Sequence, residues 1–166
     1  MESSWNIAKV DENANITIQA VNMKTINLPI PDKEAFIEEC EAIKKKQMSE
    51  SCDNGLFYFD AERLQTMFAE HIKQYGIPVK ITRGWAHYLT KGGARAVHSH
   101  TTVTGLYYLK IPKNSSKMWF EDTKEVIEPV EDNFMIFEAN RPHGITNHEG
   151  DTIRWAIAFE CERIGQ

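Results

Sequence analysis

Beyond Val79, apolar and polar residues alternate with a period of two through a series of short runs, with no helical spacing between them. The runs fall near 79–89, 95–100, 104–111, 117–121, 125–130, 133–139, 143–148 and 153–162. Turn signals part them, the clearest being Lys113-Asn114-Ser115-Ser116, Glu131-Asp132-Asn133 and Glu149-Gly150-Asp151. Many short, evenly spaced strands without intervening helices specify an antiparallel sandwich or barrel.

The residues before Val79 read differently. Ile16-Thr17-Ile18 and Ile26-Asn27-Leu28 suggest one or two edge strands within a polar segment spanning 1–30. Pro29 and Pro31 break that pattern, and Asp32 is placed to cap a helix. Phe36, Ile37, Cys40 and Ile43 then share one helical face, while Glu38, Glu39, Lys44 and Lys45 are solvated. Lys44-Lys45-Lys46 reads as an exposed helix end because acidic residues surround it. A polar loop is expected over 49–55. Asp60 would cap a second helix with Leu64, Met67, Phe68, Ile72 and Tyr75 on its apolar face, ended by Gly76 and Pro78. The expected architecture is mostly β with N-terminal helices packed on an outer sheet face. A single domain is expected over 1–166, with helical support at about 32–76 and the barrel at about 79–162.

Composition narrows the partners. The net charge of −5 argues against nucleic acid, which calls for a basic face. No apolar run approaches the roughly 20 residues needed to span a bilayer, and Met1-Glu2-Ser3-Ser4 lacks signal-peptide features. Cys40, Cys52 and Cys161 show no metal-binding spacing and suggest free thiols in a reducing compartment, so a cytoplasmic protein is expected.

The chemistry concentrates in three places. His98-Ser99-His100 lies on a strand, where residues two apart point to the same face, so its imidazoles form half a metal site. His143, in Asn140-Arg141-Pro142-His143-Gly144, is the candidate third ligand. A histidine pair alone is more often exposed or hydrogen-bonded than ligating; the third histidine changes that balance. The last strand places Ile153, Trp155, Ile157 and Phe159 on one face and Arg154, Ala156 and Ala158 on the other. An arginine flanked by alanines leaves volume beside a fixed positive charge, and guanidinium binds carboxylate bidentately. The bland alternative pairs Arg154 with Glu138 or Glu160. Among the other histidines, His71 reads as structural or partly exposed and His148 as solvated beside its turn. His87 falls out of phase with Tyr88, and Arg95 faces away from the histidines unless a bulge intervenes.

In order, Tyr88, Gly92-Gly93, His98-x-His100, Leu106-Tyr107-Tyr108-Leu109, His143 and Arg154 resemble the 2-oxoglutarate/iron(II)-dependent oxygenases. The likeness covers about 79–162 and is nearest the prolyl-hydroxylase-like branch and the small phage-type oxygenases. It implies a double-stranded β-helix, a jelly-roll or cupin-like barrel, using iron(II), 2-oxoglutarate and dioxygen to hydroxylate a peptidyl or small-molecule substrate. By this resemblance His98 and His143 are metal ligands, Arg154 binds the far carboxylate of 2-oxoglutarate, and Tyr88 and Tyr108 help hold it. Both tyrosines also read as core aromatics. His100 departs from the family, most of whose members carry Asp or Glu there. It would be a third imidazole ligand, with Glu121 or Asp122 as alternative carboxylates. Trp85, Trp119 and Arg141 are candidates for the substrate mouth. The sequence does not specify the primary substrate, and a homodimer is compatible with it. Two other readings stand beside this one. In the first, a cupin-type metalloenzyme without 2-oxoglutarate, suggested by His98-x-His100 and Pro142-His143-x-x-x-Asn147, leaves Arg154 unexplained. The second is a non-catalytic acid-binding β-barrel.

Overall fold

The computed structural model describes residues 24–47, 54–100, 102–137 and 141–165. In chain order these form β1 (Ile26–Asn27), α1 (Lys33–Gln47), β2 (Asn54–Phe59), α2 (Ala61–Met67), α3 (Ala69–Tyr75), β3 (Val79–Leu89) and β4 (Arg95–His98). The chain continues with β5 (Val103–Lys110), β6 (Met118–Phe120), β7 (Val126–Ile127), β8 (Asn133–Phe137), β9 (His143–Ile145) and β10 (Arg154–Arg163). The strands make two antiparallel sheets, a larger one ordered β1-β8-β5-β10-β3-β2 and a smaller one ordered β4-β9-β6-β7. This is a double-stranded β-helix, mostly β as the alternation specifies. The elongated β10 lies between β3 and β5 and is the axis of the larger sheet.

The helices cover the outer face of that sheet because their apolar stripes match its outward residues. Asp60 accepts from the Arg63 N–H at 3.1 Å and starts α2; Gly76, at φ 88°, ends α3 in the left-handed conformation that glycine adopts without strain. Phe68 is fully buried among Tyr107, Phe134 and Phe159, with ring centroids 5.3, 5.5 and 5.4 Å away. Close approach requires glycine twice: a Cβ at Gly105 would collide with the Phe159 ring, and one at Gly84 with Leu64. His71 is buried here, 2.6 Å from the Leu28 carbonyl, a structural role as expected.

The structure corrects several sequence expectations. Asn54 and Gly55 belong to β2, which pairs with 84–89 of β3. The short apolar run Leu56–Phe59 abuts the helix cap, so its strand character is hidden. The expected single helix over 60–76 is two, broken at Phe68 (φ −102°, ψ 15°), which sits among the core aromatics. Strand β4 ends at His98 and β9 at Ile145, both shorter than the alternation suggests. His148 is fully buried rather than solvated: its Nε2 lies 2.8 Å from the Thr152 carbonyl, and its main chain pairs with Gly92 and Gly93. Cys40 and Cys161 are free thiols. The 16–18 strand, Cys52 and Glu138 lie outside the described residues. No helix among the described residues is long and apolar enough to cross a membrane.

Candidate metal and acid-binding site

The two sheets enclose a cavity of about 300 Å³ lined from both sides. The smaller sheet brings His98 of β4 directly opposite His143 of β9, and His100 follows just beyond the end of β4. Their ring centroids are 4.5 Å (His98–His143), 5.1 Å (His98–His100) and 5.4 Å (His100–His143) apart. One ring nitrogen from each lies within 4.8 Å of the others, the only such group of three or more among the described residues.

The hydrogen bonds around these rings decide what the nitrogens can do. His98 Nδ1 is 3.0 Å from the Ala96 carbonyl, His143 Nδ1 is 2.8 Å from the Arg141 carbonyl, and His100 Nδ1 is 3.1 Å from Glu160 Oε2. A carbonyl or carboxylate can only accept, so each Nδ1 donates, and in a neutral ring that leaves Nε2 with its lone pair. Burial pulls His143 down to about 4 and also lowers His100, with the Glu160 bond opposing the shift at His100. These two rings therefore remain neutral near pH 7. Three imidazole nitrogens within 4.8 Å of one another suit a divalent transition metal. Glu121 and Asp122 are not part of the group, and Asp122 instead accepts from Arg141.

Arg154 lies elsewhere in the same cavity. It is 1% exposed, and no carboxylate among the described residues pairs with it. Its Nε and Nη1 have no hydrogen-bond partner among the described residues, and the buried Tyr108 hydroxyl has none but the guanidinium itself, which stands 5.3 Å from the Tyr108 ring centroid. Burial lowers the Arg154 pKa and raises that of Tyr108. Leaving such groups unpaired is costly, and an acid seated against them would satisfy both. Ala156 and Ala158 on the same face keep the adjacent volume clear.

Other expected site residues divide. Trp85 lines the cavity, 5.9 Å from His100 between ring centroids. Tyr88 does not: it lies on the opposite face of β3, against Trp155 at 5.4 Å and beneath Lys44. Trp119 is also out of phase, since Met118 faces the cavity and Trp119 lies beside Gly144 and Lys124. Arg141 is engaged by Asp122 and Glu125 and covers Phe120 at 3.7 Å, and it is not among the residues that line the cavity.

Several lining residues escaped the sequence reading, His87, Arg95 and Glu160 among them. His87 follows in alternation from Arg83 and Trp85, so placing Trp85 in the cavity would have predicted it. Arg95 enters because the register of β4 shifts between Arg95 and His98; its Nε donates to His87 Nε2 at 3.0 Å. Burial first, then Arg95 and Arg154, holds His87 well below the usual histidine range. Glu160 continues the Arg154–Ala156–Ala158 alternation, yet its partner is His100 and not Arg154.

No protein-family model and no curated protein sequence matches the chain. Solved structures do match in fold. The viral collagen prolyl hydroxylase of Paramecium Bursaria Chlorella virus-1, solved with 2-oxoglutarate, superposes with a TM-score of 0.63 at 14% identity, covering 85% of this chain and 96% of that one. A prolyl hydroxylase from Trichoplax adhaerens, solved with a hypoxia inducible factor peptide, gives 0.63 at 14% identity over 87% and 86%. HygX from Streptomyces hygroscopicus, with nickel and 2-oxoglutarate bound, gives 0.61 at 12% identity over 88% and 85%. The fold is that of the 2-oxoglutarate oxygenases. At these identities the likeness speaks for architecture, and the site must be argued from its own residues.

Proposed function

We propose that the protein is a 2-oxoglutarate- and iron(II)-dependent oxygenase that hydroxylates a C–H bond of a peptidyl or small-molecule substrate. The observation that carries this reading is the pairing, in one cavity, of three converging imidazole nitrogens with a buried arginine that no carboxylate among the described residues neutralises. Iron(II), 2-oxoglutarate and dioxygen would together supply an oxidant, with the keto acid leaving as succinate and carbon dioxide.

The chain's own residues bind and orient. His98, His100 and His143 would hold the metal through Nε2, their rings fixed by the Nδ1 bonds. Arg154 would clamp the far carboxylate, and the Tyr108 hydroxyl beside it is available as a donor to the same group. His87, Arg95 and Trp85 wall the cavity with Arg83, whose guanidinium lies over the Tyr58 ring. Burial between the two sheets lowers the local dielectric and strengthens the electrostatic contacts there. The cupin alternative has no use for the unpaired Arg154, and a non-catalytic barrel has none for the three converging nitrogens.

Anaerobic titration with iron(II) and then 2-oxoglutarate, followed by visible absorption, tests the proposal. A weak charge-transfer band is expected on adding the keto acid, absent from His143→Ala and diminished in Arg154→Ala. Bound iron without such a band would overturn 2-oxoglutarate dependence; failure to retain iron would overturn the metal centre.

A further inference from the structure

The sequence raises a problem that the structure answers in an unexpected place. A histidine stands at 100, where the family it resembles mostly has a carboxylate, and no carboxylate among the described residues joins the three-histidine group. Yet Glu160 is the only carboxylate lining the cavity among the described residues, and it is bound to that same histidine. The contact is 3.1 Å between His100 Nδ1 and Glu160 Oε2, with side-chain exposures of only 13% and 17%. The other two rings donate to neutral main-chain carbonyls.

We infer that Glu160 is a positioning residue of the metal centre, delivering through His100 the negative charge that a direct carboxylate ligand would otherwise supply. This rests on the metal-centre reading above. A carboxylate accepting Nδ1–H fixes the tautomer, aligns the ring and makes Nε2 a stronger donor. The charge matters more here than in an ordinary site. Arg83, Arg95 and Arg154 all line the cavity, and a divalent ion held by three neutral imidazoles would add two further positive charges. Arg83, 3.9 Å from Glu160 Oε1 and 55% exposed, is the one other cation in reach of this carboxylate among the described residues. Position along the strand also fits. Arg154 and Glu160 lie six residues apart on the cavity face of β10, so one strand serves the acid-binding region with its first residue and the metal region with a later one.

Cobalt(II) binding to the full chain, read by its visible ligand-field bands and by competition with a chelator, tests the inference without turnover. Glu160→Gln keeps an acceptor of the same shape and removes the charge; it should weaken cobalt affinity about 10- to 100-fold while leaving the melting temperature of the metal-free protein unchanged. Glu160→Ala should lose at least as much. Adding His100→Asp to Glu160→Gln should restore affinity, because the charge then sits on a ligand itself. Wild-type affinity in Glu160→Gln would overturn the inference, as would a loss that the double variant does not recover, which would make Glu160 merely structural. Failure of the wild-type chain to bind cobalt at all would overturn the metal centre, and with it this role for Glu160.

Discussion

Trp155, Ile157 and Phe159 are fully buried on one face of β10, where Trp155 and Phe159 meet aromatic rings from β2, β3, β8 and the helical layer. Arg154, Ala156, Ala158 and Glu160, one residue out of phase, face a cavity. The backbone pairs with β3 and β5 throughout, so both sets rest on the same hydrogen-bonded frame. They differ in what the side chains complete. The helix face is apolar apart from single neutral donors such as Trp155 Nε1 and His71 Nδ1, which have no hydrogen-bond partner among the described residues. The cavity face instead buries a cation, Arg154, whose Nε and Nη1 have no partner among the described residues, and an unpaired buried charge costs more than an unpaired neutral donor.

Substitutions on the two faces should therefore separate stability from binding. The largest effect is expected for His143→Ala, which should abolish the cobalt(II) ligand-field spectrum; an unchanged spectrum would break the assignment. Next, Phe159→Ala should cost about 3–5 kcal/mol in urea denaturation, the usual loss for a buried aromatic. Arg154→Met, five residues away, should weaken 2-oxoglutarate binding to the metal-loaded protein by about 2–5 kcal/mol, by calorimetry. The same change should leave the metal-free fold as stable as before or more so, because it removes a buried charge without a carboxylate partner. If Arg154→Met destabilises like Phe159→Ala, the contrast between the faces fails. Gly105→Ala places a methyl into the Phe159 ring and should cost about 1–3 kcal/mol in melting experiments.

The smallest effect is in pH. His71 on the helix side and His87 on the cavity side are both held below the ordinary histidine range, chiefly by burial. The unfolded chain takes up protons near pH 6.5 while these rings in the fold do not, so stability should be level above that pH and decline below it. Urea midpoints at pH 7 and pH 5 would measure the slope, which should be shallower in His87→Gln.

Local periodicity was legible. The span of β3 and the split of β10 into an apolar face and an Arg154–Ala156–Ala158 face follow from alternation, which sterics impose on any extended chain. The histidine pair and His143 also declared themselves by residue type and spacing. Only the tertiary structure could decide which alternating face turns inward, because that depends on the sheet a strand joins and on where its register slips. A shift in β4 carries Arg95 into the cavity, whereas Tyr88 and Trp119 lie one residue out of phase with it. Partners were equally beyond the sequence. Glu160 meets His100, 60 residues away in the chain, and Arg141 meets Asp122 across a turn, because the pairing of β10, β9 and β6 with their neighbours sets those distances. The sequence determined which strands and chemical groups were present; the nonlocal pairing of those strands determined which groups meet.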